Sequence, residues 1–414
     1  MAATEQESGT RKRTLVIAGE YPWPENSGSR MRLMTTVSAL GALGPTELFS
    51  IVPRGRRDIG PPQLAGGLAK VGHTTYDQGS RWPVAALVRP WLPFSLPIRD
   101  RPAVRAALAA FISGDYDLVW YFGLGSWLLA GEVPSGPAVL DLDDLEDRKI
   151  RARLAIPGPE PGSAAERVRI WAATRYSEEE ARRWSRLRDR AAWHVRTLVV
   201  CSQLDADRLD GRRPVPVSVV PNGYPLVDVP TRERPAAAPP VVLFQGTLRY
   251  PPNADAARFL VEDIGPALRR RVPGARIRLV GLTTPALAGL DDPPDVTLAG
   301  QVLDLGLELA TADLVLVPIR FGSGTRVKII EAFAHRVPVV STTLGAEGLG
   351  AVHGEHLLIA DDAAELAAAC ERLLVDDALR SRIVESAYGL FVEHLQRDRA
   401  EDAVRAVAHR ATSR

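Results

Sequence analysis

The chain has 414 residues, 46% of them hydrophobic, enough for two ordinary domains with a core each. Acidic and basic side chains nearly cancel at a formal net charge of +1, which leaves no global field to draw the chain onto nucleic acid or anionic lipid. The two cysteines, Cys201 and Cys370, lie in unrelated segments without metal-ligand spacing, so neither a disulfide scaffold nor a structural zinc is expected and a reducing, cytoplasmic setting fits.

Residues 1–10 are small and polar, lack the basic start and apolar run of a signal peptide, and read as a disordered tail. No stretch reaches the roughly 18 continuous apolar residues of a membrane span. From residue 11 the rhythm is apolar run, turn, helical pattern, which predicts βαβ units and parallel sheets. TLVIAG (Thr14 to Gly19) reads as a buried strand, RMRLMTTVSALGALG as the helix after it, and TELFSIVP as the next strand. DLVWYFG around Val119 and AVLDLDD around Leu140 are two more strands. Between Arg151 and Leu198 the chain is rich in Arg and Glu, broken from Pro157 to Gly162, and predicts one or two amphipathic helices. The glutamates interleaved among Trp171, Trp184 and Trp193 favour a solvated helix packed by its tryptophans over one lying on a membrane. TLVVCSQLDADRL then gives a strand, a serine turn and a helix start.

Residues 229–240, containing TRERPAAAPP, are proline-rich and mark a linker between an N-terminal domain at 11–228 and a C-terminal domain at 241–386. The alternation restarts beyond it with VVLFQG, RIRLVG, VTLAG, LVLVPI, PVVST and LLIA as strands. Residues 387–414 form a terminal helical stretch expected to cross back to the N-terminal domain. The fold class is α/β, two Rossmann-like domains facing each other across a cleft, with ligands outside the carboxyl ends of the strands.

The densest chemistry lies in PIRFGSGTRVKIIEAFAHRVPVVST. A strand runs into Gly322, Ser323 and Gly324, and a helix is predicted to open at about Thr325. Glycines admit a ligand to the backbone, and helix N-terminal amides attract phosphate. Arg326 and Lys328, in the predicted first turn, add charge for a diphosphate, and Glu331 could take hydrogen bonds from the vicinal hydroxyls of a ribose. From spacing alone a surface ion pair between Lys328 and Glu331, with glycines that merely shape a turn, is an equally good reading.

This segment resembles the donor-binding helix of retaining GT-B glycosyltransferases, particularly glycosyltransferase family 4. CSQLDADRL, VVPNGYP, FQGTLRYPPNADA and VTLAGQVLDLGLELATADLVLVPI fall in the family's order, continuously in the C-terminal half and more loosely in the N-terminal half. The resemblance implies the GT-B fold, a nucleoside-diphosphate sugar donor on the C-terminal domain, a small-molecule or glycan acceptor on the N-terminal side, and no cofactor or bound metal. It places Glu331 on the ribose, and puts Ser323 where the family carries a first glutamate near the transferred sugar. Gly246 and Thr247 match the glycine loop after the first strand of this domain. Thr247 replaces the usual arginine there, which shifts the burden to Arg326, Lys328 and Arg249. Gln301 and Val302 match the loop that cradles the nucleobase. Glu347 follows the PVVST strand and either touches the donor sugar or stays a solvated acid.

On the acceptor side, ENSGSRMR joins a turn to a helix N-terminus, with Gly28 and Arg30 as candidates beside the plain reading of a helix cap. LDLDDLEDRK places Asp143 and Asp144 at the acceptor pocket, Asp144 nearest the chemistry, or alternatively as acids at a helix dipole. No histidine is singled out as a base. The expected activity is therefore retaining, metal-independent glycosyl transfer, with a nucleotide-sugar epimerase or a catalytically inactive GT-B scaffold as alternatives. Abundant Arg and Ala with little Lys points to a GC-rich bacterial source.

Overall fold

Short runs of Val, Ile, Leu and aromatic residues build two parallel sheets whose strands are covered on both faces, as an apolar rather than alternating pattern requires. The first sheet uses β1 (Thr14–Ala18), β2 (Thr46–Pro53), β3 (Leu68–Tyr76), β4 (Leu118–Phe122), β5 (Ala138–Asp141), β6 (Thr197–Val200) and β7 (Val217–Val219), in the order β3-β2-β1-β4-β5-β6-β7. The second uses β8 (Val241–Gln245), β9 (Arg276–Val280), β10 (Val296–Gly300), β11 (Leu314–Val317), β12 (Val339–Ser341) and β13 (Leu358–Ile359), in the order β10-β9-β8-β11-β12-β13. The structure is a computed structural model and describes residues 12–55, 67–77, 89–96, 100–156, 161–209, 214–228 and 238–413. The expected tail at 1–10, most of the expected linker (229–237) and part of the break between Pro157 and Gly162 lie outside these residues.

Every residue of β1 and β4 is buried, with Ile17 opposite Tyr121 in register. Two elements carry no such signature. The edge strand β3 reads LAKVGHTTY, with exposed and half-buried positions mixed, so its sequence shows no apolar run. The helix Arg101–Phe111 buries only Val104, Leu108 and Phe111.

The long helix Ala164–Ala192 opens with a reciprocal cap. Ser163 accepts from the Glu166 N–H, and the Glu166 carboxylate accepts from the Gly162 N–H. Its second half buries Ala181, Trp184, Leu187 and Ala191. The expectation of a helix packed by its tryptophans holds for Trp184 alone: Trp171 in the first half is 62% exposed, and Trp193 beyond the helix end is 74% exposed. Among the described residues no helix is long and apolar enough to cross a membrane.

The C-terminal segment spans both cores. Phe391 and Leu395 sit in the second core, while Val404, Val407, Ala408 and Ala411 of the helix Arg397–Thr412 join the first core beside Leu33, Val37 and Leu40. At the crossing, Tyr224 donates its N–H to Leu395 and accepts from the Arg397 N–H.

Candidate active site between the two sheets

In an open parallel sheet a ligand crevice forms at the carboxyl edge where strand order reverses. In the second sheet that point lies between β8 and β11. The loops leaving those strands carry Gly246 and residues 322–324, which brings together two segments about eighty positions apart in the chain. Both loops require glycine. Gly246 has φ +142, and a Cβ there would stand 2.9 Å from the Lys328 Nζ; Gly322 has φ +145, and a Cβ would stand 2.7 Å from the Arg326 guanidinium.

The following helix runs over Val327–Ala334, two residues later than the predicted start at Thr325. Arg326 is the extended residue that caps it and Lys328 lies in its first turn. The Gly-Ser-Gly stretch keeps Thr325 out of the helix: Asn222 donates to its hydroxyl at 2.7 Å. Arg326 curls back on its own loop, donating to the carbonyls of Ser323 and Gly324, and its Nε has no hydrogen-bond partner.

Lys328 and Glu331 share the buried face of this helix, so the reading of a surface ion pair is overturned. The Lys328 ammonium donates to Asn253 Oδ1 at 2.7 Å and lies 4.2 Å from the centre of the Phe244 ring. Burial, reinforced by Arg326, lowers its pKa to about 7. Burial raises that of Glu331 to about 7, against the opposing pulls of Gln245 and Lys328. Gln245 donates to the Lys328 carbonyl at 3.1 Å and its Oε1 has no partner. One turn beyond Glu331, His335 is buried with both ring nitrogens unpartnered, its ring 6.0 Å from that of Tyr224 and against Gly306. Orphaned buried groups are costly in a finished core and mark a place where a ligand can satisfy them.

The flanking residues differ in how they are used. Thr247 is half-buried and its carbonyl accepts from Asn253 Nδ2 at 3.0 Å. Arg249 is exposed and donates to the Thr283 carbonyl at 3.1 Å, turned toward its own domain. Gln301 is exposed and Val302 half-buried in the loop after β10 that leads to Asp304 and Gly306 beside His335. The segment after β12 forms a short helix, Thr343–Ala346, and Glu347 just beyond its end is ion-paired with Arg208 of the N-terminal domain.

On the opposite side the N-terminal residues converge from three separate segments, the helix after β1, the acidic run after β5 and the loop after β7. Gly28 opens its helix against Val327, whose methyl would lie 3.1 Å from a Cβ at position 28. Arg30 is buried and holds its own turn together through Glu20 at 3.2 Å and Asn26 at 3.2 Å. Two helix positions later, Arg32 is buried, donating to Asp141 at 2.8 Å, the Val220 carbonyl at 2.7 Å and Asn222 at 3.0 Å. The acidic run is therefore divided among partners: Asp141 pairs with Arg32, Asp147 with Arg188, and Glu146 with Lys149. Among the described residues no group of three or more His, Cys, Asp or Glu side chains is placed to hold a metal ion. Burial, then Asp144, raises the Asp143 pKa to about 7.

Asp144 reaches across. Its Oδ1 accepts from the Ser323 hydroxyl at 3.1 Å, its Oδ2 from the Tyr250 hydroxyl at 3.3 Å, and Lys149 stands 3.5 Å away. Burial, with Asp144 adding to it, holds the Tyr250 phenol well above its ordinary pKa, so it stays a donor. Arg32, Asn222, Tyr250, Asn253, Gln245 and Arg208 are absent from the sequence reading. All six stand inside motifs that the sequence does flag, Arg32 in ENSGSRMR, Arg208 in CSQLDADRL, Asn222 in VVPNGYP and the other three in FQGTLRYPPNADA, but nothing local distinguishes them from their neighbours or marks Arg32 as a buried strut.

Residues 239–376 match the family model described as Glycosyl transferases group 1. An uncharacterized 44.6 kDa protein in the cps region of Klebsiella pneumoniae is 26% identical over 130 residues, covering 29% of this chain and 34% of that protein, so the match spans about a third of that relative. Sucrose-phosphate synthase from Thermosynechococcus elongatus superposes with TM-score 0.68 at 16% identity, covering 96% of this chain and 98% of the other. HepE of Anabaena, in complex with UDP and glucose, superposes with TM-score 0.62 at 16% identity over 98% of this chain and 100% of the other. WaaG, a glycosyltransferase involved in lipopolysaccharide biosynthesis, gives TM-score 0.60 at 14% identity over 95% and 99%. The fold is GT-B, two Rossmann-like domains, and the region matching the family model is a glycosyltransferase domain.

Proposed function

We propose that the chain is a retaining glycosyltransferase that moves a sugar from a nucleoside-diphosphate sugar, held by the C-terminal domain, to an acceptor hydroxyl presented from the N-terminal domain. The carrying observation is the direction of the glycine loop and helix at 322–331. They sit at the switch point of their own sheet and face the other domain through Asn222–Thr325, Asp144–Ser323 and Gly28 against Val327. The two domains meet at the diphosphate end of the cradle, so an acceptor hydroxyl reaches the anomeric carbon from the face that the diphosphate leaves. The sugar–phosphate oxygen bond breaks, the acceptor oxygen bonds to the anomeric carbon, and the hydroxyl proton passes to the departing phosphate. Negative charge growing on that phosphate meets Arg326, Lys328 and the helix N-terminus, which take the part a metal ion plays elsewhere. Glu331 takes the ribose hydroxyls, and the loop at Gln301 and Val302 with His335 borders the base. Gly246 and Thr247 wall the phosphates, and Gly28, Arg30 and Asp143 line the acceptor side.

A uridine donor carrying glucose is the first to test, since HepE holds UDP and glucose on the same fold. A ligand that binds only the folded chain stabilises it by mass action, by about 2.7 kcal/mol at a hundredfold excess over Kd, and so raises its melting temperature. In a thermal-shift panel of UDP-, GDP- and dTDP-sugars, one base should stand out, and that donor should yield a glycosylated acceptor. Conversion of the donor into its epimer without acceptor would assign an epimerase, and binding without transfer or hydrolysis would assign a scaffold. Either result overturns the transferase reading.

A further inference from the structure

We propose that Asp144, delivered by the N-terminal domain, is the carboxylate that grips hydroxyls of the transferred sugar, at the end of the cradle where the donor domain brings the neutral hydroxyls of Ser323 and Tyr250. The inference rests on the donor reading above and adds the determinant of sugar choice. A nucleotide sugar is a linear object, with ribose, diphosphate and sugar in sequence. With Glu331 on the ribose and Arg326 and Lys328 on the diphosphate, the sugar must continue past the start of the helix, over residues 322–324. From Val327 to Glu331 the helix rises about 6 Å, comparable to the length of a diphosphate.

At that end the carboxylate in reach is Asp144. It lies 3.1 Å from the Ser323 hydroxyl, and a Cβ at Gly324 would come within 2.9 Å of it. Gly324 has φ +72, so the loop presents no side chain between the cradle and this carboxylate. Both of its hydrogen-bond partners, Ser323 and Tyr250, are neutral hydroxyls, the donor type that a sugar supplies. Exchanging them for sugar hydroxyls conserves every bond to Asp144 while Lys149 keeps its charge balanced from behind. Sugar recognition then requires both domains, whereas nucleotide recognition requires one.

The test is calorimetric titration of the full chain with UDP and with UDP-glucose. In Asp144→Asn we expect UDP affinity within about twofold of the parent and UDP-glucose affinity lower by about 10- to 100-fold, because a carboxylate that accepts hydroxyls in a desolvated site discriminates strongly. Asp144→Glu should restore part of the loss. Tyr250→Phe, which frees one Asp144 oxygen from a bond the sugar must otherwise displace and leaves the charge, should raise the same ratio by a smaller factor, and it serves should Asp144→Asn fail to fold. An Asp144 that only latches the domains would move both affinities together. An unchanged ratio of UDP-glucose to UDP affinity in these variants therefore overturns the inference and leaves the donor reading intact. Failure of the parent chain to bind any nucleotide would overturn the donor reading and this inference with it.

Discussion

The two halves of the candidate site are built on different principles. The donor half is nearly contiguous: Gly322, Gly324, Arg326, Lys328 and Glu331 follow one another through a loop and a single helix, so one stretch of sequence states the chemistry. The acceptor half is assembled from the helix after β1, the end of β5 and the loop after β7, with Arg32, Asp141, Asp144 and Asn222 drawn from positions far apart. A contiguous site reads out of a sequence because helix geometry fixes the spacing of its groups. A dispersed one depends on sheet order, which local pattern does not carry.

That contrast predicts opposite outcomes for removing a cation from each half. Arg32→Ala leaves Asp141, which is fully buried, without its partner, and breaking a buried pair costs about 3–5 kcal/mol. We expect the melting temperature to fall by roughly 6–20 °C, with loss of soluble protein, as read by calorimetry. Lys328→Ala should do the reverse. Its ammonium is held in the folded chain against the cost of burial, so the fold should survive, while transfer falls by about 100- to 1000-fold, the usual result of deleting one group that stabilises developing charge. A Lys328→Ala enzyme with full activity would erase the distinction between the halves.

A subtler mark of the donor half is its response to pH. Glu331 titrates near 7 when folded against an ordinary 4.5, so the native state holds the extra proton and stability falls as pH rises from 4.5 to 7. Lys328 titrates near 7 against an ordinary 10.5, so the unfolded state holds the extra proton and stability climbs from pH 7 to 10.5. Together they place a minimum in stability around neutral pH. The double variant Lys328→Met, Glu331→Gln should flatten that minimum in melting curves taken from pH 5 to 9, and an unchanged profile would reject the two shifts. The smallest effect is expected at the rim. Arg208 and Glu347 are each about a quarter exposed, so Arg208→Ala should cost about 0.2–1 kcal/mol and change transfer only slightly. A large loss of transfer there would return Glu347 to the donor site.

The parallel sheets were legible because buried strands must be apolar, and β1, β4, β6 and β11 stand out as such. The edge strand β3 was not, since an edge needs only half an apolar face. Within the site, Lys328 and Glu331 could be named from the sequence but their burial could not, because burial comes from Phe244, Asn253 and Gln245 on neighbouring elements. Asp144 was legible as an acid at a strand end, and its contact with Ser323 follows only from how the domains face each other.

The central claim is that residues 322–328 cradle the donor diphosphate with Glu331 on the ribose. A crystal structure of the chain soaked with UDP tests it directly. The account predicts diphosphate oxygens within about 3 Å of Arg326, Lys328 and the amides opening the Val327 helix, with both ribose hydroxyls on Glu331. UDP bound elsewhere, with that helix untouched, would contradict it.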